Sequence, residues 1–375
     1  MGKVFMSLLV MFVLPSFVFA QSNYNMTTGV TDISENVYNL HMTIFIICCV
    51  IGVIVFSIMF WALFHHRKSK GVTASQFHES TKVEILWTAI PFVILILMAI
   101  PATKTLIAME DTTKADLTIK ITGSQWKWHY EYLEHDLNFY SILSTPQEQI
   151  KNQKDKTENY LLEVDKPLII PTNRKVRFLM TSDDVIHSWW VPDFAVKKDA
   201  NPGFINEAWT RVNETGIYRG QCAELCGKDH GFMPIVVEAV TPESFESWLI
   251  NTKNESEQAA QADRQLLDQT LSEDELMTLG EQVYVASCAA CHQVTGLGLG
   301  GVFPALKDSP IAKGEINDHI DIVLHGKPGT AMQAYVKQLS LKQLAAVITY
   351  ERNAWGNNTG DLVQPSDVKN RMKEE

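Results

Sequence analysis

Two short stretches of this chain carry residue types suited to holding metals or cofactors. The first, residues 221–234 (QCAELCGKDHGFMP), gathers Cys222, Cys226, His230 and Met233 in one loop. Two thiolates, an imidazole and a thioether form a soft donor set that suits copper. A mononuclear blue-copper loop needs one Cys, a His and a weak axial Met. A second Cys one helical turn further on allows two thiolates to bridge two metals, so the spacing favours a binuclear site. The second copper lacks an imidazole within the loop. His187, in the apolar and aromatic segment DDVIHSWWVP, is the best candidate to supply it. On spacing alone, a short-loop disulfide between Cys222 and Cys226, or a Cys2His2 zinc site, stands open beside copper.

The second stretch is Cys288-Ala-Ala-Cys291-His292. C-x-x-C-H is the attachment pattern of c-type haem. Two thiols one turn apart can add to the two vinyl groups, and the adjacent His reaches the iron. A Met as the other axial ligand raises the reduction potential. Met332, in PGTAMQAY between a Gly/Pro-containing loop and the last long helix, is the natural choice, whereas Met277 reads as helix packing. A redox dithiol would have no use for the following His.

These groups need elements to position them. The chain has 375 residues, room for two or three domains, and a net charge of -11. That acidic balance argues against a nucleic-acid partner and allows a basic protein partner. Of the six cysteines, Cys48 and Cys49 lie in an apolar run and the other four in the two clusters, so they do not form a disulfide framework. Residues 1–20, with Lys3, an apolar run and the ending FVFA, predict a secretory signal peptide cut after Ala20. The competing reading of this run as a first membrane helix is weakened by its shortness. An exported segment, 21–37, leads into a transmembrane helical hairpin over 38–107. Its apolar stretches, 38–64 and 83–107, are each long enough to cross a bilayer. Arg67, Lys68, Lys70 and Lys82 place the connecting loop in the cytoplasm and the soluble parts outside. Thr81 and Glu84 have the spacing of a capping box at the start of the second helix.

Beyond the hairpin the periodicity changes. In QWKWHYEY, Trp126, Trp128, Tyr130 and Tyr132 alternate with polar residues, the period of a half-buried strand. Further short strand-like segments with turn signals between them predict an all-β sandwich or barrel over 113–249. Residues 250–271, rich in Gln, Ala and acids, read as a linker with some helical character. An all-α domain follows over 272–356, with capping boxes at Ser272/Glu275 and Ser340/Gln343, and 357–375 reads as a polar tail. Asp136 and Asp184 are docking carboxylates or solvated surface. The other histidines have no ligand-like spacing.

The segments GSQWKWHYEY, LLEVDKPLIIP, DDVIHSWWVPDFAVKKDANPG and GQCAELCGKDHGFMPIVVEAV, in that order, resemble the dinuclear copper (CuA) domain of cytochrome c oxidase subunit II. The similarity runs from the first membrane helix to Trp248, and residues 272–355 resemble a small class I cytochrome c. Together they resemble a caa-type subunit II, a multidomain membrane protein with a two-helix hairpin, a cupredoxin-like domain and a fused cytochrome c domain. The resemblance implies binuclear copper held by His187, Cys222, Cys226, His230, Met233 and the carbonyl of Glu224. It implies a Mg2+ bound by the Glu224 side chain and shared with subunit I. Trp126 becomes the point of electron entry, freed from the core face by a bend, and Glu84 the mouth of a proton path into subunit I. Covalent haem c on Cys288 and Cys291, with His292 and Met332, would pass electrons to CuA and on to subunit I. There oxygen is reduced to water with proton translocation, so no catalytic residue lies in this chain. The implied partners are subunits I and III, an upstream cytochrome or quinol-oxidising bc-type complex, and membrane lipid. The implied location is a bacterial plasma membrane, with both redox domains on the periplasmic face. A CuA-containing nitric-oxide reductase subunit and a membrane-anchored electron carrier are the alternatives.

Overall fold

The computed structural model describes residues 25–73, 78–267, 269–328, 330–336 and 338–373. The expected signal peptide, 1–20, lies outside the described residues.

Two helices, Asp32–His65 and Thr81–Glu110, are long and apolar enough to cross a membrane. The first begins six residues before the expected span. Thr31 and Ser34 cap it reciprocally, satisfying backbone donors that water would otherwise take. The same end is stitched to the β-domain: Val30 N–H donates to the carbonyl of Asp193 and Asn213 N–H to that of Val30, both at 3.0 Å. The second helix corrects an expectation. Ser80, not Thr81, is its N-cap, with no side-chain cap bond. Glu84 therefore sits one position too far along to close a box. Pro91 and Pro101 lie within this helix. At its far end Trp209 Nε1 donates to the carbonyl of Ala108 at 3.0 Å, and Lys198 pairs with Glu110 at 3.2 Å. Both ends of the hairpin are thus fixed to the β-domain.

That domain packs two five-stranded sheets, β3-β2-β1-β5-β8 and β4-β10-β9-β6-β7. The first contains β1 (Leu117–Ser124), β2 (Lys127–Tyr132), β3 (Leu137–Ser141), β5 (Val176–Ser182) and β8 (Asn206–Thr210). The second contains β4 (Leu168–Pro171), β6 (His187–Val191), β7 (Val196–Ala200), β9 (Gly216–Cys222) and β10 (Pro234–Val240). Alternation decides which face is buried: Val176, Phe178 and Met180 point inward from β5, and Trp128, Tyr130 and Tyr132 from β2. Burying an aromatic or large aliphatic side chain contributes about 1.5–3 kcal/mol. Register then builds the site. Trp189 of β6 lies opposite Cys222 of β9, and Gln221 opposite Pro234 of β10. His187, two residues before Trp189, and the loop 223–233 therefore emerge at one end of the same sheet.

The stretch expected as a linker is mostly helix. Pro242–Leu266 runs on from the β-domain, capped by Thr241 with proline in its first turn. The cytochrome-like domain begins as expected, with both Ser272/Glu275 and Ser340/Gln343 forming complete capping boxes. The helix Glu273–Ser287 packs against Leu341–Asn353, and Gly280 permits the contact. A Cβ there would lie 2.2 Å from the carbonyl oxygen of Ala346.

The expected polar tail belongs to this domain. Val363 and Val368 are buried in its core, and Pro365–Arg371 is helical. The reason lies in Arg352, buried on the closing helix. Its guanidinium pairs with Asp361 at 2.5 Å, and an unpaired charge there would carry a heavy desolvation cost.

Candidate metal centre and haem-attachment site

The loop after β9 brings the expected donors together. Cys222 Sγ and Cys226 Sγ are 3.8 Å apart, and both residues are buried. His187 Nδ1 lies 4.0 Å from Cys222 Sγ. His230 Nδ1 and Met233 Sδ each lie 3.5 Å from Cys226 Sγ. The carbonyl oxygen of Glu224 is 3.3 Å from Cys222 Sγ, while the residue itself faces solvent. The other four expected residues, His187, Glu224, His230 and Met233, thus surround the sulfurs of Cys222 and Cys226. Neither a disulfide nor a single tetrahedral ion uses the whole set. Two sulfurs side by side with two imidazoles, a thioether and a carbonyl beyond them fit a pair of copper ions, which the two thiolates would hold in common.

The electrostatics favour one thiolate and one thiol, a single proton shared between the two sulfurs. Cys222 is pushed down to about 3, chiefly by the hydrogen bond from the Cys226 thiol, against the cost of burial. The same neighbour pushes Cys226 upward.

Asp184 was not foreseen in the role it takes here. Its Oδ1 accepts from His187 Nε2 at 2.9 Å, so the ring presents Nδ1 to the sulfurs. A carboxylate behind a ligand imidazole fixes both its tautomer and its orientation. Burial works to raise the Asp184 pKa, but hydrogen bonds from His187 and from the backbone N–H of Gln125 and Val185 outweigh it and hold the carboxyl below its ordinary value. The i, i+3 spacing of Asp184 and His187 was the available signal. Gly123 completes the seat, since a Cβ there would lie 2.9 Å from the His187 ring.

Trp126 sits beside this centre in the turn between β1 and β2. Its Nε1 donates to the carbonyl of Cys226 at 3.3 Å, and Gln125 Nε2 donates to the same oxygen at 2.7 Å. Gly227, at φ +119°, passes over both; a Cβ there would lie 2.8 Å from the Gln125 amide and 3.2 Å from the indole. The expectation of a surface tryptophan needs correction. Trp126 is only 9% exposed, because Phe303 of the cytochrome-like domain packs edge-on against it at 6.3 Å.

In that domain Cys288 and Cys291 are free thiols flanking one turn, followed by buried His292. His292 Nδ1 donates to the carbonyl of Pro304 at 2.9 Å, which leaves Nε2 as the unprotonated nitrogen of the neutral ring. A base held in this tautomer fits an axial ligand of haem iron. Met332 is half-buried in the loop before the closing helix, and Glu84 is exposed near the start of the second membrane helix.

A membrane-anchored β-sandwich with a two-thiolate donor set, joined to a haem-attachment domain, defines an electron-transfer subunit. Residues 6–105 match the transmembrane domain of cytochrome c oxidase subunit II, and 117–240 match its periplasmic domain. Residues 275–350 match cytochrome c oxidase, cbb3-type, subunit III. The chain belongs to the cytochrome c oxidase subunit II family. It is 41% identical over 227 residues to a probable cytochrome c oxidase subunit 2 of Rickettsia conorii, covering 60% of this chain and 70% of the relative. It is 38% identical over 230 residues to cytochrome c oxidase subunit 2 of Chondrus crispus, covering 60% and 89%. Among solved structures, the periplasmic domain of subunit II of cytochrome oxidase of Bradyrhizobium japonicum is 42% identical, covers 38% of this chain and 98% of that chain, and has a TM-score of 0.35. The family brings binuclear copper CuA and, through the C-terminal domain, covalent haem c. The redox domains belong on the periplasmic side of the inner membrane.

Proposed function

We propose that this chain is a caa-type subunit II in which electrons pass from covalent haem c to CuA and on to subunit I, where oxygen is reduced to water with proton translocation. In this reading His187, Cys222, Cys226, His230, Met233 and the Glu224 carbonyl hold the two coppers. Cys288 and Cys291 carry the haem, with His292 and Met332 as its axial ligands. Held in common by Cys222 and Cys226, the two coppers would share one unit of charge, and little reorganisation would accompany reduction. Asp184 keeps His187 in the ligand tautomer, the two sheets hold the donors in place, and Trp126 connects the haem-bearing face to the Cys226 backbone.

The observation that carries the reading is the 3.8 Å separation of the two sulfurs inside the ring of donors. The test is electron paramagnetic resonance of the copper-loaded chain. One unpaired electron shared by two copper nuclei gives a hyperfine pattern that a mononuclear blue site cannot produce. Cys226→Ser should reduce it to the pattern of one nucleus.

The exposed Glu224 carboxylate supports a Mg2+ shared with subunit I, since hard cations take carboxylate oxygen. Glu84, exposed near the cytoplasmic end of the second helix, supports a role at the mouth of a proton path. Subunit III, an upstream cytochrome or quinol-oxidising bc-type complex, and lipid around the hairpin complete the proposed surroundings.

A further inference from the structure

Between the two redox domains lies a charged side chain that the electron path just described does not use. Lys127, the first residue of β2 and the neighbour of Trp126, is 8% exposed. Among the described residues it forms no ion pair. Its ammonium lies 5.1 Å from the centroid of the Tyr140 ring on β3 and 4.9 Å from that of Tyr335 in the cytochrome domain. It also donates to the side-chain carbonyl of Gln338. One wall of this cage is therefore the copper domain; the other wall and the acceptor belong to the cytochrome domain. Tyr335 in turn donates through its hydroxyl to the carbonyl of Ser287, the residue before Cys288, at 2.9 Å.

We propose that Lys127 is a positioning residue for interdomain electron transfer: caged by Tyr140 and Tyr335, it sets the register in which the haem-attachment segment lies against Trp126. The proposal rests on the electron path above and adds to it what fixes the donor.

The caged ammonium contributes specificity rather than strength. Burying an ammonium is costly unless its charge is compensated. Aromatic faces recover part of this cost when water is excluded. Burial holds the Lys127 pKa down to about 8, the mark of a charge that the interface tolerates rather than gains from. A purely apolar contact can slide by a residue and lose little. A caged cation cannot, because any shift strips it of rings or acceptor without restoring water. Two other contacts between the domains share this register: Phe303 against Trp126, and Gln333 Nε2 on Asp184 Oδ2 at 3.4 Å. A single cation thus aligns Cys288, through Ser287, with the tryptophan next to it in sequence.

The test is photoinduced reduction of haem c in the complete oxidase, following the onward reduction of CuA. Lys127→Met keeps an apolar stem and removes the charge. The expected result is a single fast phase in the unmodified enzyme that becomes multiphasic and at least about tenfold slower in the variant, as misplacement of reacting groups predicts. Lys127→Arg, which also stacks on aromatic rings, should restore the single phase. Haem and copper spectra should be unchanged in both. A Lys127→Met enzyme with the unmodified rate and one phase overturns the proposal, and so does failure of Arg to restore the phase where Met has abolished it. If Lys127→Met does not assemble, Tyr335→Leu removes one wall of the cage from the other domain and is read by the same two outcomes. Absence of CuA reduction by haem c in the unmodified enzyme would instead sink the electron path itself.

Discussion

The indole Nε1 of Trp126 donates a hydrogen bond to the backbone carbonyl of Cys226 at 3.3 Å, so the residue beneath the cytochrome domain is bonded directly to one of the two cysteines proposed to hold copper. On the other side of the same ring stands Phe303. Trp126→Leu removes both contacts while leaving every copper donor in place. Electron transfer from haem c to CuA should slow by roughly tenfold or more, with the copper spectrum unchanged. Unaltered kinetics in a flash experiment would show that the electron takes another route.

On the proposed ligand set, Asp184 would act on the metal through His187, whose Nε2 it holds at 2.9 Å. Asp184→Asn keeps the size and one acceptor oxygen but loses the charge that holds the imidazole. Replacing a carboxylate behind a metal-bound His typically costs about 10–100-fold in affinity. Copper should therefore be lost to a chelator at correspondingly lower concentration, measured by competition on the purified chain. An affinity equal to that of the unmodified protein would make Asp184 a fold residue only.

Met332→His should retain covalent haem and lower its potential, because imidazole stabilises ferric iron more than a thioether does. The checks are a redox titration and the loss of the thioether-to-iron absorption band. If both are unchanged, Met332 is not the ligand.

Lys127 should titrate far below an ordinary lysine. Burial pushes it down to about 8, whereas a lysine in water titrates near 10.4. The docked state therefore binds fewer protons than an undocked one between those two values, and raising the pH through this window favours docking. NMR of lysine-labelled chain should show one side-chain resonance moving near pH 8, absent in Lys127→Arg. A full set of lysines titrating above pH 10 would contradict the buried position.

Glu84→Gln should slow steady-state oxygen uptake without disturbing copper or haem spectra if the carboxylate feeds protons to subunit I. The capping role, worth about 1 kcal/mol where it exists, is not available to it, since Ser80 occupies the N-cap. Normal turnover with normal assembly would leave the proton role unsupported.

What could be read in the chain beforehand follows the range over which each feature acts. The donor loop and C-x-x-C-H are local, so their spacing marked both out, although for the loop spacing alone left a disulfide or zinc open and the resemblance was needed to favour copper. The boxes at Ser272 and Ser340 each close within four residues, and both formed. The Thr81 box failed because Ser80, one position earlier, took the cap. Asp184 was only half legible: its spacing to His187 is local, but another partner, the Gln125 backbone, lies 59 residues away. The apparent tail was misread because its demand comes from Arg352, a charge whose burial no local pattern announces. Trp126 was expected at the surface on the resemblance alone, since its alternation in QWKWHYEY is that of a core face, and no local signal says that Phe303 will cover it.

That cover has a kinetic consequence. On the proposed path, a soluble donor cannot reach the indole while Phe303 lies over it, so external reductants cannot compete with the attached haem for access to copper. Supply becomes single-file: every electron a dioxygen molecule consumes must first refill one haem. The throughput of the whole oxidase is then capped by how quickly that haem is reloaded from outside, and raising the affinity of copper for its donor would not lift the cap.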